Sequence, residues 1–198
     1  MKHVVFDIGN VLVDWHPAPA WIDDLGSAEA VEAFLKRVDF PARNLRCDKG
    51  ETFADVAREL PDPEDARLLA LYPSRFPLTV VNEVPGTWAI VDQLEARGVP
   101  LHAITNWSAE TWPEGLKAHP RLGTMFQTTI VSGAVDLIKP DPAIYRLFLD
   151  RSGLAASDCV FVDDKPENIA GAHSVGMDGI HFTDARAFEA ALKDRGLL

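Results

Sequence analysis

What constrains this chain most is an alternation: short apolar, β-branched runs recur along it with amphipathic helical patterns between them. A strand covered on both faces reads as a continuous apolar run, and a helical crossover lets the next strand lie parallel to it. The rhythm predicts an α/β fold, a Rossmann-like parallel sheet with helices packed against it. Strands are expected over residues 3–7, 100–105, 128–132, 158–163 and 179–182. The first four end in polar residues. Ligands of open α/β sheets sit beyond the carboxyl ends of the strands, so these polar ends should meet in one crevice.

The helices carry their own marks. Thr87 is placed to cap a helix whose apolar face is Ile90, Val91 and Leu94, with Gly98 to end it. Asp141-Pro142 reads as an N-cap and first helical residue, with Ile144, Leu147 and Phe148 on one face behind it. Two more helices are expected, one starting near Lys165 and one over 185–195. Residues 15–82 break the rhythm, because they hold helical patterns at 28–38 and 52–60 but no convincing strand. The expected organisation is a Rossmann-like core of residues 1–14 and 83–198 with an inserted helical cap domain, 15–82. Such a cap would cover the crevice as a lid, and Pro17, Pro19 and Pro85 suit hinge positions near its ends.

Composition narrows the function. The 198 residues are 47% hydrophobic and 25% charged, enough for one sizeable core and a small appended module. A net charge of -11 with no basic block excludes a general nucleic-acid or anionic-membrane surface. Cys47 and Cys159 lie far apart without C-x-x-C spacing, which fits reduced structural thiols, and the histidines show no metal-ligand spacing. Met1 leads directly into Val4-Val5-Phe6 and an aspartate, too short and polar for a signal peptide, and no run approaches a membrane span. A cytoplasmic protein is expected. An acidic chain that handles phosphate must supply positive charge locally, through a metal, a lysine or helix N-termini.

The strand ends offer such groups. Asp7 leaves the first strand into a Gly9-Asn10 turn; by itself an aspartate there is more often a turn former or helix cap. The second strand ends Ile104-Thr105-Asn106, offering a hydroxyl, an amide and N–H groups to phosphate oxygens. Lys139 stands between Leu137-Ile138 and Pro140-Asp141-Pro142, its backbone restricted by the prolines, just before a helix. Asp163 and Asp164 emerge together from Cys159-Val160-Phe161-Val162. Adjacent acids repel unless a cation or protons compensate, which makes a hard, oxygen-binding ion such as Mg²⁺ their natural partner. Asp164 also reads as a cap for the next helix.

In this order, Asp7, Thr105-Asn106, Lys139 and Asp163-Asp164 resemble the four motifs of the haloacid dehalogenase superfamily, across nearly the whole chain. The string Lys139-Pro140-Asp141-Pro142-Ala143-Ile144-Tyr145 is similar to the branch with a helical cap after the first strand. The resemblance implies a phosphatase acting on a small phosphorylated metabolite, a sugar phosphate among the candidates. Asp7 would attack phosphorus to form an aspartyl-phosphate that water cleaves. Mg²⁺ would be held by Asp7, the Gly9 carbonyl and one or both of Asp163 and Asp164, with Lys139 opposite. Thr105, Asn106 and Lys139 would hold the phosphate, and Asn168 would position metal-bound water or face solvent.

One departure is Gly9, where many family phosphatases carry the aspartate that protonates the leaving oxygen and later activates water. Asp14 and His16 are the candidate replacements. A steep dependence on leaving-group pKa is expected, and a phosphomutase, which must move protons on sugar hydroxyls, is disfavoured. Trp15, Trp21 and the stretch Arg46-Cys47-Asp48-Lys49-Gly50 are candidates for substrate selection, and Trp107 lines the pocket or is simply buried. Two alternatives stand. A 2-haloacid dehalogenase would use the same aspartate without metal, but usually has serines in place of the paired acids. A binding or regulatory protein that has lost turnover would be consistent with Gly9.

Overall fold

The computed structural model describes residues 2–198. All five expected strands form, as β1 (His3–Phe6), β4 (Leu101–Thr105), β5 (Thr129–Val131), β6 (Cys159–Asp163) and β7 (Asp178–His181). They pair in parallel in the order β5-β4-β1-β6-β7. The period of two along each strand divides the apolar residues between the faces. Val4, Phe6, Ala103, Val160 and Val162 share one cluster with Ile90 and Leu94 of helix Thr87–Ala96 and Phe188 of helix Ala185–Asp194. Val5, Ile104 and Phe161 face the other way, against Ile144 and Phe148 of helix Pro142–Ser152 and Ile169 of helix Pro166–Ser174. Strand order reverses at β1, so its carboxyl end opens the crevice expected of this class.

Capping agrees at Asp141, whose carboxylate accepts the Ala143 N–H at 2.9 Å. It differs at Thr87. The N-cap is Gly86, at φ +83°, and Thr87 is the first helical residue, its buried Oγ1 unpartnered among the described residues. A left-handed residue is what this entry turn requires, and glycine takes it without a Cβ clash.

Two elements were not expected. Residues Val13–Asp14 (β2) and Asn82–Glu83 (β3) pair antiparallel, and Val84 N–H donates to Leu12 C=O at 2.9 Å just beyond them. The chain therefore leaves and re-enters the core region through a short ribbon. Two residues per strand are too few for alternation to register in a sequence. Between β2 and β3 the regular structure is all helical, led by Ala28–Arg37, Phe40–Asp48, Phe53–Arg58 and Pro63–Ala70. Ser27 and Thr52 cap two of these, each oxygen accepting a backbone N–H three residues on. Trp21, Phe34, Phe40, Phe53, Tyr72 and Phe76 pack together there, with Trp21 stacked on Tyr72 at 5.1 Å. Among the described residues, no helix is long and apolar enough to cross a membrane.

Candidate active site

Asp7 follows β1 directly. Its N–H donates to Val162 C=O at 2.8 Å, which extends the β1–β6 pairing by one residue and fixes where the carboxylate emerges. The chain then turns sharply: Leu12 and Val13 N–H both donate to Ile8 C=O, and Asn10 takes a left-handed φ of 57°. Asparagine tolerates that conformation better than most side chains. An added Cβ at Gly9 would meet nothing within 4 Å.

Lys139 is buried at the centre of the site. Its Nζ lies 2.9 Å from Asp7 Oδ1 and 2.7 Å from Asp163 Oδ2. The loop that delivers it has a cis Lys139–Pro140 bond. Asn106 closes on that loop, its Nδ2 donating to Lys139 C=O at 3.0 Å and its Oδ1 accepting Lys139 N–H at 2.9 Å. The Asn106 side chain, expected to contact phosphate, is thus engaged in holding Lys139, although the residue still lines the cavity.

Asp163 is fully buried and saturated. Besides Lys139 it accepts the Lys165 N–H at 2.8 Å and both oxygens accept from Asn168 Nδ2, at 2.9 and 3.0 Å. Asn168 is buried, so it does not face solvent. Asp164 instead lines the cavity with Asp7 and Gly9. Thr105 Oγ1, at the end of β4, is buried and has no hydrogen-bond partner among the described residues. A buried hydroxyl left this way costs free energy unless a ligand completes it.

The charge of the site is not balanced by its own residues. Burial pushes Asp7 above the ordinary carboxylate range; Lys139 opposes this and Asp163 and Asp164 reinforce it. Burial, then Asp163, also raises Asp164. For Lys139, burial alone would lower the pKa, but Asp7 and Asp163 outweigh it and the ammonium form is favoured. Oxygens of Asp7, Asp163 and Asp164 lie within 4.8 Å of one another, an all-oxygen set with too little positive charge nearby. A hard divalent cation fits that chemistry.

A melting experiment tests the fit. Saturating Mg²⁺ should raise the wild-type melting temperature by roughly 5–10 °C, the consequence of a ligand at about 100-fold its Kd acting on a domain of this size. Asp164→Asn should remove most of that shift. An equal shift in both proteins would place the cation elsewhere.

The cavity itself holds about 370 Å³, and Trp15, Leu35, Phe40, Leu45, Phe76 and Trp107 give it a largely apolar wall. Trp107 is both buried and on the wall. Trp21 is not: it is buried among the helices, where its Nε1–H donates to Leu68 C=O at 2.8 Å. Asp14 and His16 pair with each other at 3.0 Å off the wall, the first half-buried and the second exposed. Of the stretch 46–50, Arg46 turns to Glu51 and Glu59, and Asp48 lines the cavity. Sequence reasoning passed over Lys165 and Asn10, which also line it. Lys165 was signalled by its position directly after the acid pair.

The model of the haloacid dehalogenase-like hydrolases matches residues 1–176. Among curated relatives, a phosphoglycolate phosphatase of Rhodospirillum rubrum is 32% identical, over 89% of this chain and 77% of its own. The sesquiterpene phosphatase astK of Aspergillus oryzae is 25% identical, over 94% and 92%. Among solved structures, the HAD family enzyme bt-2542 of Bacteroides thetaiotaomicron superposes with a TM-score of 0.73 at 18% identity, covering 97% of this chain and 98% of that one. The same enzyme has been solved in complex with magnesium and inorganic phosphate, at a TM-score of 0.69, 18% identity and coverage of 93% and 95%. With the motif residues gathered at the carboxyl ends of a parallel sheet and a family match over most of its length, this chain belongs to the haloacid dehalogenase-like hydrolases.

Proposed function

We propose that this hydrolase is a Mg²⁺-dependent phosphatase that cleaves small phosphomonoesters through an aspartyl-phosphate on Asp7, with residues 15–82 acting as its cap. The observation that carries the reading is the geometry around Asp7: a buried carboxylate held by Lys139, beside two further acids and an unpartnered Thr105 hydroxyl. Two relatives named as phosphatases, and a structural neighbour that binds magnesium and phosphate, support it.

Each residue has a definable task. Asp7 is ionised in its reactive form and needs placement more than basicity, which the β1–β6 pairing and the Lys139 ion pair supply. Lys139 offsets charge on the transferring oxygens, and Thr105 Oγ1 donates to one of them. Asp163, fixed by Lys165 N–H and Asn168, holds Lys139 in place, while Asp164 and the Gly9 carbonyl join Asp7 as cation ligands. Mg²⁺ bound there would neutralise phosphate charge. The paired acids count against a metal-free 2-haloacid dehalogenase, since ionised carboxylates repel a haloacid substrate and a departing halide.

The wall favours an apolar or aromatic alcohol over a sugar as the esterified group. The cap arginines are already engaged: Arg37 with Asp65, Arg43 and Arg46 with Glu59, Arg58 with Asp55, Arg67 with Glu64 and Arg75 with Asp24. Among the described residues the cap places no arginine or lysine on the wall for a substrate carboxylate, as in phosphoglycolate, and the lysine that does line it, Lys165, comes from the core beside the acid pair. Each buried methylene is worth about 0.8 kcal/mol, so three give a preference of roughly fiftyfold. Hexyl phosphate should therefore exceed a hexose phosphate and phosphoglycolate in kcat/KM by at least that factor. A panel of these esters and p-nitrophenyl phosphate, assayed for phosphate release with and without Mg²⁺, tests both the activity and its selectivity. Halide release from a 2-haloacid without metal, with no ester cleaved, would overturn the reading.

A further inference from the structure

We propose that Asp48, a carboxylate contributed by the helix Phe40–Asp48, is the general acid and base of this site, replacing the group absent at Gly9. The inference rests on the phosphatase reading above. Asp48 lines the same cavity as Asp7, Gly9 and Asp164. Its place is fixed from both sides: Ser132 Oγ, just past β5, donates to the Asp48 carbonyl at 2.5 Å, and Asn44 Nδ2 donates to its carboxylate at 2.9 Å. A second tie, from Phe53 N–H to the Glu110 carboxylate at 2.6 Å, holds the following segment on the core. A cap side chain anchored this way lines the cavity that must take the alcohol portion of a phosphomonoester when its phosphorus faces Asp7.

The surroundings suit the role. Burial raises Asp48 to about 7, opposed by Lys165, by the Ser108 N–H and by Lys139. The Asp48 charge also acts on Cys47 and Tyr72, and neither carries charge near neutrality because burial raises both. As the last residue of its helix, Asp48 also meets the negative end of the helix dipole, which further disfavours its ionised form. A carboxyl poised near neutrality exists in both forms needed here. Asp14 and His16, the other groups in reach by sequence, close on each other off the cavity wall.

The proton balance closes over the two half-reactions. As Asp7 Oδ bonds to phosphorus and the ester P–O bond breaks, protonated Asp48 gives its proton to the departing alkoxide, which leaves as the alcohol. Asp48 carboxylate then takes a proton from the water that attacks phosphorus, as the Asp7–phosphorus bond breaks and phosphate departs. Asp48 ends protonated, as it began. The net change is ester plus water to alcohol plus phosphate.

The variant Asp48→Asn keeps the shape, the Ser132 tie to its carbonyl and an acceptor for Asn44, but cannot give the proton. It should lose about 10² to 10⁴-fold in kcat/KM on hexyl phosphate, whose alkoxide is a poor leaving group. On p-nitrophenyl phosphate the first half-reaction should stay within about threefold of wild type, because nitrophenolate leaves without a proton. Water activation is also lost, so the variant should release a burst of nitrophenol equal to the enzyme and then turn over slowly. The steep leaving-group dependence expected from Gly9 thereby becomes a property of the variant. Its melting temperature should be no lower than wild type and its Mg²⁺ shift should match, which certifies the fold. Gly9→Asp, for which the turn has space, should restore hexyl phosphate cleavage when added to Asp48→Asn. Equal losses on both esters, or no loss on hexyl phosphate, would overturn the role of Asp48 and leave the phosphatase reading intact. A wild-type protein that cleaves neither ester would overturn both.

Discussion

Replacing Asp7 by asparagine is expected to lower kcat/KM on every phosphate ester by about 10⁴-fold or more, while the metal-free variant melts no lower than wild type. The amide still accepts the Ile8 N–H, now 2.7 Å from Oδ1, but it is no nucleophile. The stability half of the expectation comes from the charge balance. Burial raises the wild-type carboxyl to about 7, against the pull of Lys139 and with help from Asp163 and Asp164. A carboxyl whose folded pKa exceeds its unfolded value favours the fold while protonated. That contribution is complete below about pH 4, near the unfolded carboxylate value, and is lost as pH rises through the folded one. Metal-free wild type should therefore lose stability from about pH 4 to pH 8, and Asp7→Asn should be flatter over that window. Mg²⁺ should stabilise wild type more as pH rises, since cation and proton compete for the same oxygens. Melting curves in a chelator and in Mg²⁺ across this range, beside ester turnover, measure all three effects. Undiminished turnover in Asp7→Asn would remove the central assignment.

What the sequence made legible was whatever follows from a local pattern. The sheet was readable because its strands are buried on both faces, so runs such as Val4-Val5-Phe6 and Val160-Phe161-Val162 are apolar without interruption. Asp7, Thr105 and Asp163 were readable because each stands at the end of such a run, and topology alone carries those ends to one place. The arrangements not legible depend on contacts that no local pattern encodes. Asn106 spends its amide on a backbone 33 residues away. Trp15 and Trp21 look equivalent in sequence, yet one lines the cavity and the other is the centre of an aromatic cluster. The β2–β3 ribbon joins segments about seventy residues apart through pairs too short to alternate. Asp48 was visible as one member of a polar string, but its chemistry arises from the cavity it faces and the helix end it occupies.

Lys139→Met separates charge from packing at the same site. Methionine is close in length, and the Lys139 side chain is fully buried with its Nζ 5.3 Å from the centre of the Phe161 ring, so the stem is replaced by apolar volume. The ammonium is lost, and with it the partner of two carboxylates at 2.9 and 2.7 Å. Breaking a buried ion pair by removing one member costs about 3–5 kcal/mol, because the other charge stays buried without compensation. The metal-free variant should melt roughly 6–20 °C below wild type at neutral pH. Acid should narrow the gap, since protonating Asp7 or Asp163 removes the unpaired charge. Mg²⁺ should recover part of the stability, because a cation restores positive charge beside Asp7. Turnover should remain down by about 10³-fold even with Mg²⁺, because the role proposed for Lys139 is to balance charge on the transferring oxygens beyond what a cation alone would neutralise. A variant as stable as wild type in a chelator at pH 8 would mean that Asp163, through Asn168 and the Lys165 N–H, holds its charge without the lysine. Recovery of both stability and turnover with Mg²⁺ would reduce Lys139 to a stand-in for the metal. Loss of turnover with stability regained is the outcome that assigns the lysine to catalysis as well as to the fold.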